Sequence, residues 1–155
     1  MIAIFVFSII GTYIGLQIAL STSTPLVAVA GGSMRPTLEF GDLVVVQGVP
    51  ATNIQVGDII VFDPPEGGRT VHRVTKMETL PNGTIQFITK GDDNEDVDTW
   101  PVPDYCVHGR VLYRIPYLGY LALDPAIPIT ITIIAIIVIL LWPEKTRRKF
   151  RRHRR

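Results

Sequence analysis

Hydrophobic and polar positions divide the chain into three regimes. From Ile2 to Leu20 no residue is charged, and only Ser8, Thr12, Tyr13 and Gln17 interrupt the apolar run. A bilayer core about 30 Å thick takes about 20 helical residues, so this stretch predicts a membrane-spanning helix. A second apolar run, Ala126–Trp142, is rich in isoleucine. Its β-branched residues favour strands in water. In lipid, an isolated strand cannot satisfy its backbone polar groups, so length predicts a second spanning helix. Pro125 and Pro128 stand at its start, where a first helical turn tolerates missing N–H groups, and Trp142 and Pro143 mark its end.

Between these runs the period changes. Short apolar segments alternate with turn residues: Leu26–Ala30, Leu43–Val46, Ile59–Phe62, Thr70–Met77, Thr84–Thr89 and Val107–Tyr113. Gly41-Asp42 and Gly57-Asp58 open two of them, Asp63-Pro64-Pro65-Glu66-Gly67-Gly68 is a turn, and Pro81-Asn82-Gly83 has the form of a hairpin tip. No stretch between 21 and 114 sustains helical periodicity with caps. The pattern predicts a mainly β chain, with a small antiparallel β-barrel or sheet domain over 23–120 flanked by two transmembrane helices. The expected divisions are an N-terminal anchor at 1–22, the β domain, a C-terminal helix at 125–142 and a basic tail at 143–155.

Charge turns this pattern into a topology. The formal net charge is only +1, but no charged side chain precedes Arg35. Residues 1–143 hold 7 Lys+Arg against 13 Asp+Glu, a balance of −6, and residues 144–155 hold 8 Lys+Arg against one Glu, a balance of +7. A Lys/Arg run can neutralise nucleic-acid phosphates or stand as a solvated tail. Directly after an apolar span it reads as a cytoplasmic anchor, drawn further to anionic lipids. Both termini are then expected in the cytoplasm and the β domain outside it. Ala28-Val29-Ala30 offers a competing reading, a cleavage site ending a removable signal peptide over Ile2–Ala30. Against it, no Lys or Arg precedes the apolar run, and Pro25 interrupts the approach. The apolar content excludes a disordered chain, and a single cysteine, Cys106, excludes a disulfide scaffold.

Candidate chemistry lies in three places. Ser33, in Gly31-Gly32-Ser33-Met34-Arg35-Pro36-Thr37, follows two glycines that free the backbone and precedes a proline that stiffens it. His72 lies in Thr70-Val71-His72-Arg73-Val74, where alternation sets it on one strand face with Val74. The loop Lys90-Gly91-Asp92-Asp93-Asn94-Glu95-Asp96-Val97-Asp98 is strongly acidic. Counted from Asp92, an EF-hand would need Gly and Glu where Val97 and Pro103 stand, so calcium is not expected. A zinc site of Cys106, His108 and His72 has irregular spacing and is weakly motivated. No metal or cofactor is expected. A Ser, a His and an Asp can together make one acyl-transfer site: the imidazole takes the hydroxyl proton and the carboxylate orients the imidazole.

Four stretches in order are similar to the ordered boxes of type I signal peptidases. They are Gly32-Ser33-Met34-x-Pro36 with Gly41-Asp42, Gly57-Asp58-Ile59-Ile60-Val61-Phe62, Val71-His72-Arg73-Val74, and Thr89-Lys90-Gly91-Asp92. The likeness covers about residues 25–120. His72 stands where the bacterial subfamily has lysine, which resembles the ER-type subfamily of archaea, the eukaryotic ER and some Gram-positive bacteria. The resemblance implies Ser33 as nucleophile with its N–H in the oxyanion hole, His72 as general base, Asp98 as the His-orienting carboxylate and Asp92 as a second important acid. Asp93 and Asp96 compete for the same place beside His72. The implied activity is that of a membrane-bound serine endopeptidase removing signal peptides from secreted preproteins. Two other readings stay open: a Ser/Lys membrane protease, or a non-catalytic subunit binding secreted chains. Implied partners are preprotein signal peptides, the lipid bilayer with anionic lipids at the tail, and the secretion translocase, without nucleic acid. The implied location is the cell membrane, or the ER membrane in a eukaryote, with a multi-pass chain.

Overall fold

Seven short runs rich in β-branched residues form the seven strands of one antiparallel sheet in the computed structural model, which describes residues 2–141. They are β1 (Leu26–Ala28), β2 (Leu43–Gln47), β3 (Ile59–Phe62), β4 (Thr70–Thr79), β5 (Ile85–Lys90), β6 (Val102–Pro103) and β7 (Val107–Ile115). Their order is β1-β2-β7-β3-β4-β5-β6, so the last strand inserts between β2 and β3. Each neighbouring pair is antiparallel. β1 and β6 are left as edges, so of the expected barrel or sheet the hydrogen bonding forms the open sheet.

Side-chain alternation sets which face is buried. On β2, Val44 and Val46 are buried while Leu43, Val45 and Gln47 are half-exposed, the period of a strand with one covered face. β3 departs from this: Ile60, Val61 and Phe62 are all fully buried. The reason is that β3 feeds two cores. Val61 joins Val29, Met34, Leu38, Val44 and Val46, whereas Ile60 and Phe62 join Ile54, Val74, Phe87 and Val102. A run buried on both faces has to be apolar throughout, as Ile59-Ile60-Val61-Phe62 is.

Asp42 is the buried charge of this domain, with no solvent exposure. Its Oδ2 accepts from the Glu39 N–H at 2.7 Å and pairs with Arg114 Nε at 2.5 Å, and the Tyr117 N–H approaches Oδ1 at 3.4 Å. A buried carboxylate needs such partners, because its desolvation is otherwise uncompensated. Gly41 before it holds φ 88° with the Tyr120 ring lying where a Cβ would stand, so only glycine fits there.

Three helices complete the described chain: α1 (Ile2–Ala19), α2 (Tyr120–Leu123) and α3 (Ala126–Leu141). The chain divides into two units, one ending at Leu123 and the other beginning at Asp124. The two flanking transmembrane helices and the multi-pass chain expected from the sequence require correction. The described part of α1 has 18 residues and that of α3 has 16. Among the described residues no helix is long and apolar enough to cross a membrane. α1 stops before Leu20 because the chain turns out of the helix at Ser21, whose φ is 52°. Trp142 and the basic tail lie outside the described residues.

The second core yields a stability prediction. Phe87 is fully buried, so Phe87→Ala should cost about 3–5 kcal/mol by loss of burial and creation of a cavity. Leu118→Ala, at a residue 41% exposed, should cost within about 0.5 kcal/mol, as exposed sites do. Urea denaturation of the two variants checks the difference; equal costs would overturn the assignment of the core.

Candidate active site

Ser33 stands where the segment that continues β1 turns away from the sheet. The Arg35 N–H donates to the Gly32 carbonyl at 3.1 Å and the Leu38 N–H to the Met34 carbonyl at 2.9 Å, closing a compact turn. Met34 and Leu38 are buried in the first core. The backbone at Ser33 is therefore fixed by the apolar side chain that follows it, and the serine hydroxyl is left at the surface of that core.

His72 comes to the same place from β4, opposite Ile60 of β3. It is 8% exposed, and its ring meets Phe62 edge-on with centroids 6.3 Å apart. The Ser33 Oγ lies 3.0 Å from Nε2 and Asp98 Oδ2 lies 2.7 Å from Nδ1. A carboxylate only accepts, so Nδ1 carries the proton and Nε2 presents its lone pair to the serine hydroxyl. Asp98 is itself held by Thr89, whose hydroxyl donates to the same Oδ2 and whose carbonyl accepts from the Asp98 N–H at 2.8 Å. Thr89 is fully buried, so both ends of this bracket are shielded from water.

Asp92 sits apart from this chain of hydrogen bonds. Arg73 grips it with Nε to Oδ1 at 2.8 Å and Nη2 to Oδ2 at 2.6 Å, and the Thr37 hydroxyl donates to Oδ2. Arg73 Nη1 reaches on to the Gly57 carbonyl at 2.8 Å. The bidentate fork suits a planar carboxylate. The hydrogen bonds from Arg73, aided by Thr37, hold the Asp92 carboxyl below the usual carboxylate range despite partial burial. Asp92 thus ties the acidic loop to Thr37, in the turn after Ser33, and to β4 beside His72.

Of the residues singled out in the sequence, Ser33, His72 and Asp98 come together, and Asp92 occupies the neighbouring ion pair. Asp93 takes part through its backbone, its N–H donating to the Ser33 carbonyl at 2.8 Å. Lys90 donates to the Glu95 carbonyl at 3.0 Å and Lys76 pairs with Glu78 at 2.7 Å, whereas the hydrogen bond of the Ser33 hydroxyl is to His72. The weak zinc arrangement does not form: His108 bonds Asp63 at 2.7 Å while His72 bonds Asp98. Among the described residues no cluster of three or more His, Cys, Asp or Glu could hold a metal ion. Sequence reading missed Arg73, Thr89 and Thr37 as site residues. Arg73 and Thr89 flank motif residues, and the alternation that faces His72 inward turns Arg73 the other way; Thr37 carries no signal in sequence.

A cleft of about 420 Å³ opens beside Ser33 and His72. Val27–Gly31 and Met34 line it, with Arg69, Thr70, Val71 and Trp100 on the other side. Its wall along β1 is an open sheet edge next to the serine, so an extended peptide can pair with it.

The Peptidase S24-like family model matches residues 9–112 of the chain. The signal peptidase complex catalytic subunit SEC11C of Homo sapiens is 36% identical over 116 residues, covering 68% of this chain and 59% of that protein. The signal peptidase complex catalytic subunit SEC11 of Tuber melanosporum is 30% identical over 129 residues, covering 70% of this chain and 67% of that protein. That of Schizophyllum commune is 32% identical over 130 residues, covering 68% and 67%. The chain thus spans 59% of the length of its mammalian relatives.

The Asp92–Arg73 pair predicts an acid response with a definite sign. A carboxyl with a lowered folded pKa adds stability above its ordinary value, about 3.9, and that stability is lost as the pH falls through the folded pKa. Asp92→Asn should therefore lower stability at pH 7 by about 1–2 kcal/mol, the worth of a charge-assisted hydrogen bond. The variant should also lose less than wild type between pH 5 and pH 2. Thermal melts across that range check it; parallel pH curves for the two proteins would refute it.

Proposed function

This chain belongs to the Peptidase S24-like family, and from that premise we propose that it is a serine endopeptidase of the ER-type signal peptidase kind. Its substrates would be secreted preproteins, from which it removes the signal peptide. The observation that carries the reading is the hydrogen-bond chain from Ser33 Oγ through His72 to Asp98. The likeness to SEC11 catalytic subunits supports the substrate class.

In this reaction the substrate lies extended along the β1 edge, with the residues before the cleaved bond in the cleft. Ser33 Oγ attacks the carbonyl carbon while His72 Nε2 takes the hydroxyl proton. Asp98 holds Nδ1–H and stabilises the imidazolium that forms. The Ser33 N–H donates to the developing oxyanion. His72 then protonates the departing amine, the C–N bond breaks, and the mature chain leaves. Water, deprotonated by His72, attacks the ester on Ser33; the signal peptide departs and the serine proton returns. The apolar cleft, walled by Val27, Val29, Met34 and Val71, favours small apolar side chains next to the scissile bond. Asp92 acts by position, bracing the loop that carries Asp98.

The membrane part of the proposal rests on sequence. The uncharged segments at 1–22 and 125–142 offer apolar surface for attachment to a bilayer, and the basic tail at 143–155 suits anionic lipids. Attachment raises the local concentration of preproteins emerging from a translocase. A Ser/Lys mechanism is disfavoured by the contacts of Lys76 and Lys90 described above.

Purified full-length chain in detergent, incubated with a preprotein, tests the proposal. Ser33→Ala and His72→Ala should each lower kcat by about 10³-fold or more, and Asp98→Asn by about 10²–10⁴-fold, as removal of triad members does. Lys90→Ala should retain cleavage. Full activity of His72→Ala would sink the assignment of the base, and no cleavage by the wild-type chain would favour the non-catalytic subunit.

A further inference from the structure

Arg69 is the one charged side chain among the residues that line the cleft, apart from the titratable His72. Its placement follows from the β3–β4 hairpin. Phe62 of β3 pairs with Thr70 of β4, so Asp63 and Arg69 face each other one step further toward the turn. Gly67 and Gly68, at φ 87° and 83°, carry the turn that returns the chain. Arg69 Nε donates to Asp63 Oδ1 at 3.3 Å, and Asp63 Oδ2 is held from β7 by His108 Nε2 at 2.7 Å. Partial burial opposes ionisation, but the hydrogen bond and charge of His108, then of Arg69, keep the Asp63 carboxyl below its usual range. Among the described residues the Nε bond is the only hydrogen bond of the guanidinium, which leaves four of its five donors for another acceptor.

The position of Arg69 along the cleft can be read from the topology. Four antiparallel steps separate β1 from β4, so the two strands run in the same direction. Ser33 and His72 therefore mark one end of the cleft, with Val27 and Arg69 toward the other. Arg69 precedes His72 by three residues, about 10 Å along an extended strand. A peptide whose scissile carbonyl lies at Ser33 passes Arg69 with its third or fourth residue before the cleaved bond.

We propose that Arg69 is a specificity-determining residue that reads charge at those substrate positions, admitting acidic and neutral side chains and disfavouring basic ones. The inference rests on the proposed endopeptidase reading. No other residue lining the cleft carries a fixed charge, so Arg69 is the cation a substrate side chain meets there, its charge partly offset by Asp63 behind it. Asp63, itself held by His108, accepts from Nε and leaves the two Nη groups to the substrate.

The test uses full-length chain in detergent and three preprotein-derived peptides, alike except that the third and fourth residues before the cleaved bond are both Asp, both Ala or both Lys. The readout is the ratio of kcat/KM for the Asp peptide to that for the Lys peptide, which cancels a general loss of activity. Wild type should favour Asp by about two- to fivefold, the range of a partly solvated charge pair. The preference should shrink at high salt. Arg69→Gln should bring the ratio near one. Arg69→Glu, alone and combined with Asp63→Arg to keep an ion pair across the hairpin, should invert it. A ratio that is the same in wild type and in these variants overturns the inference and points to a structural role in closing the hairpin. No cleavage of the Ala peptide by wild type overturns the proposed function, and this inference with it.

Discussion

The Ser33 carbonyl accepts a hydrogen bond from the Asp93 N–H, and the alignment of the site depends on this backbone contact. It joins two loops distant in sequence. One is anchored by Met34 and Leu38 in the first core; the other is anchored by Asp98 on the buried Thr89. The contact is close enough to dictate composition: a Cβ on Gly91 would stand 2.6 Å from the Ser33 carbonyl oxygen and 2.8 Å from Asn94 Nδ2. Any larger residue there would drive the loops apart and move Asp98 away from the imidazole that bridges to Ser33. The Gly-Asp of the acidic loop is thus a packing requirement before it is a chemical one.

Each acid around this contact has a different partner. Asp98 accepts from Thr89 and His72, Asp92 from Arg73 and Thr37, and Asp42 from backbone N–H groups with Arg114 as its cation. The division follows burial. Asp42 has no exposure, so it combines a full cation with backbone donors, as an interior charge must. Asp98 meets the imidazole of His72, whose other nitrogen reaches Ser33. Asp92 meets a guanidinium that stays charged, which makes its pair a brace and not a relay. Arg114 also donates to the Thr37 carbonyl at 3.0 Å, so the braces around Asp42 and Asp92 meet at the turn beyond Ser33.

Much of the fold was legible because strand chemistry is local. The runs at Leu43–Val46, Ile59–Phe62 and Val107–Tyr113 carry the right residues between turn signals; the second coincides with its strand, and the other two strands run one and two residues further. β6 escaped notice because Val102–Pro103 is two residues long and one of them is proline; only its pairing with β5 makes it a strand. The helix lengths illustrate the opposite limit. Composition marked Ile2–Leu20 as one run, yet the helix ends at Ala19, since hydropathy does not register the turn at Ser21.

By itself the sequence determined the mainly β class, the serine-histidine-acid inventory and the segregation of charge, since each is carried by residue identity and short-range period. The family resemblance matched Asp98 to the His-orienting acid but left Asp93 and Asp96 in competition with it. Tertiary structure decided which groups meet. It inserted β7 between β2 and β3, set His72 within hydrogen-bond reach of Ser33 and Asp98, gave Asp92 to Arg73 and brought Arg69 to the cleft wall. None of these pairings is local, because each joins residues carried by different strands or loops. A hydrogen bond is made or lost within a few tenths of an ångström, and only the packed sheet holds its partners to that tolerance.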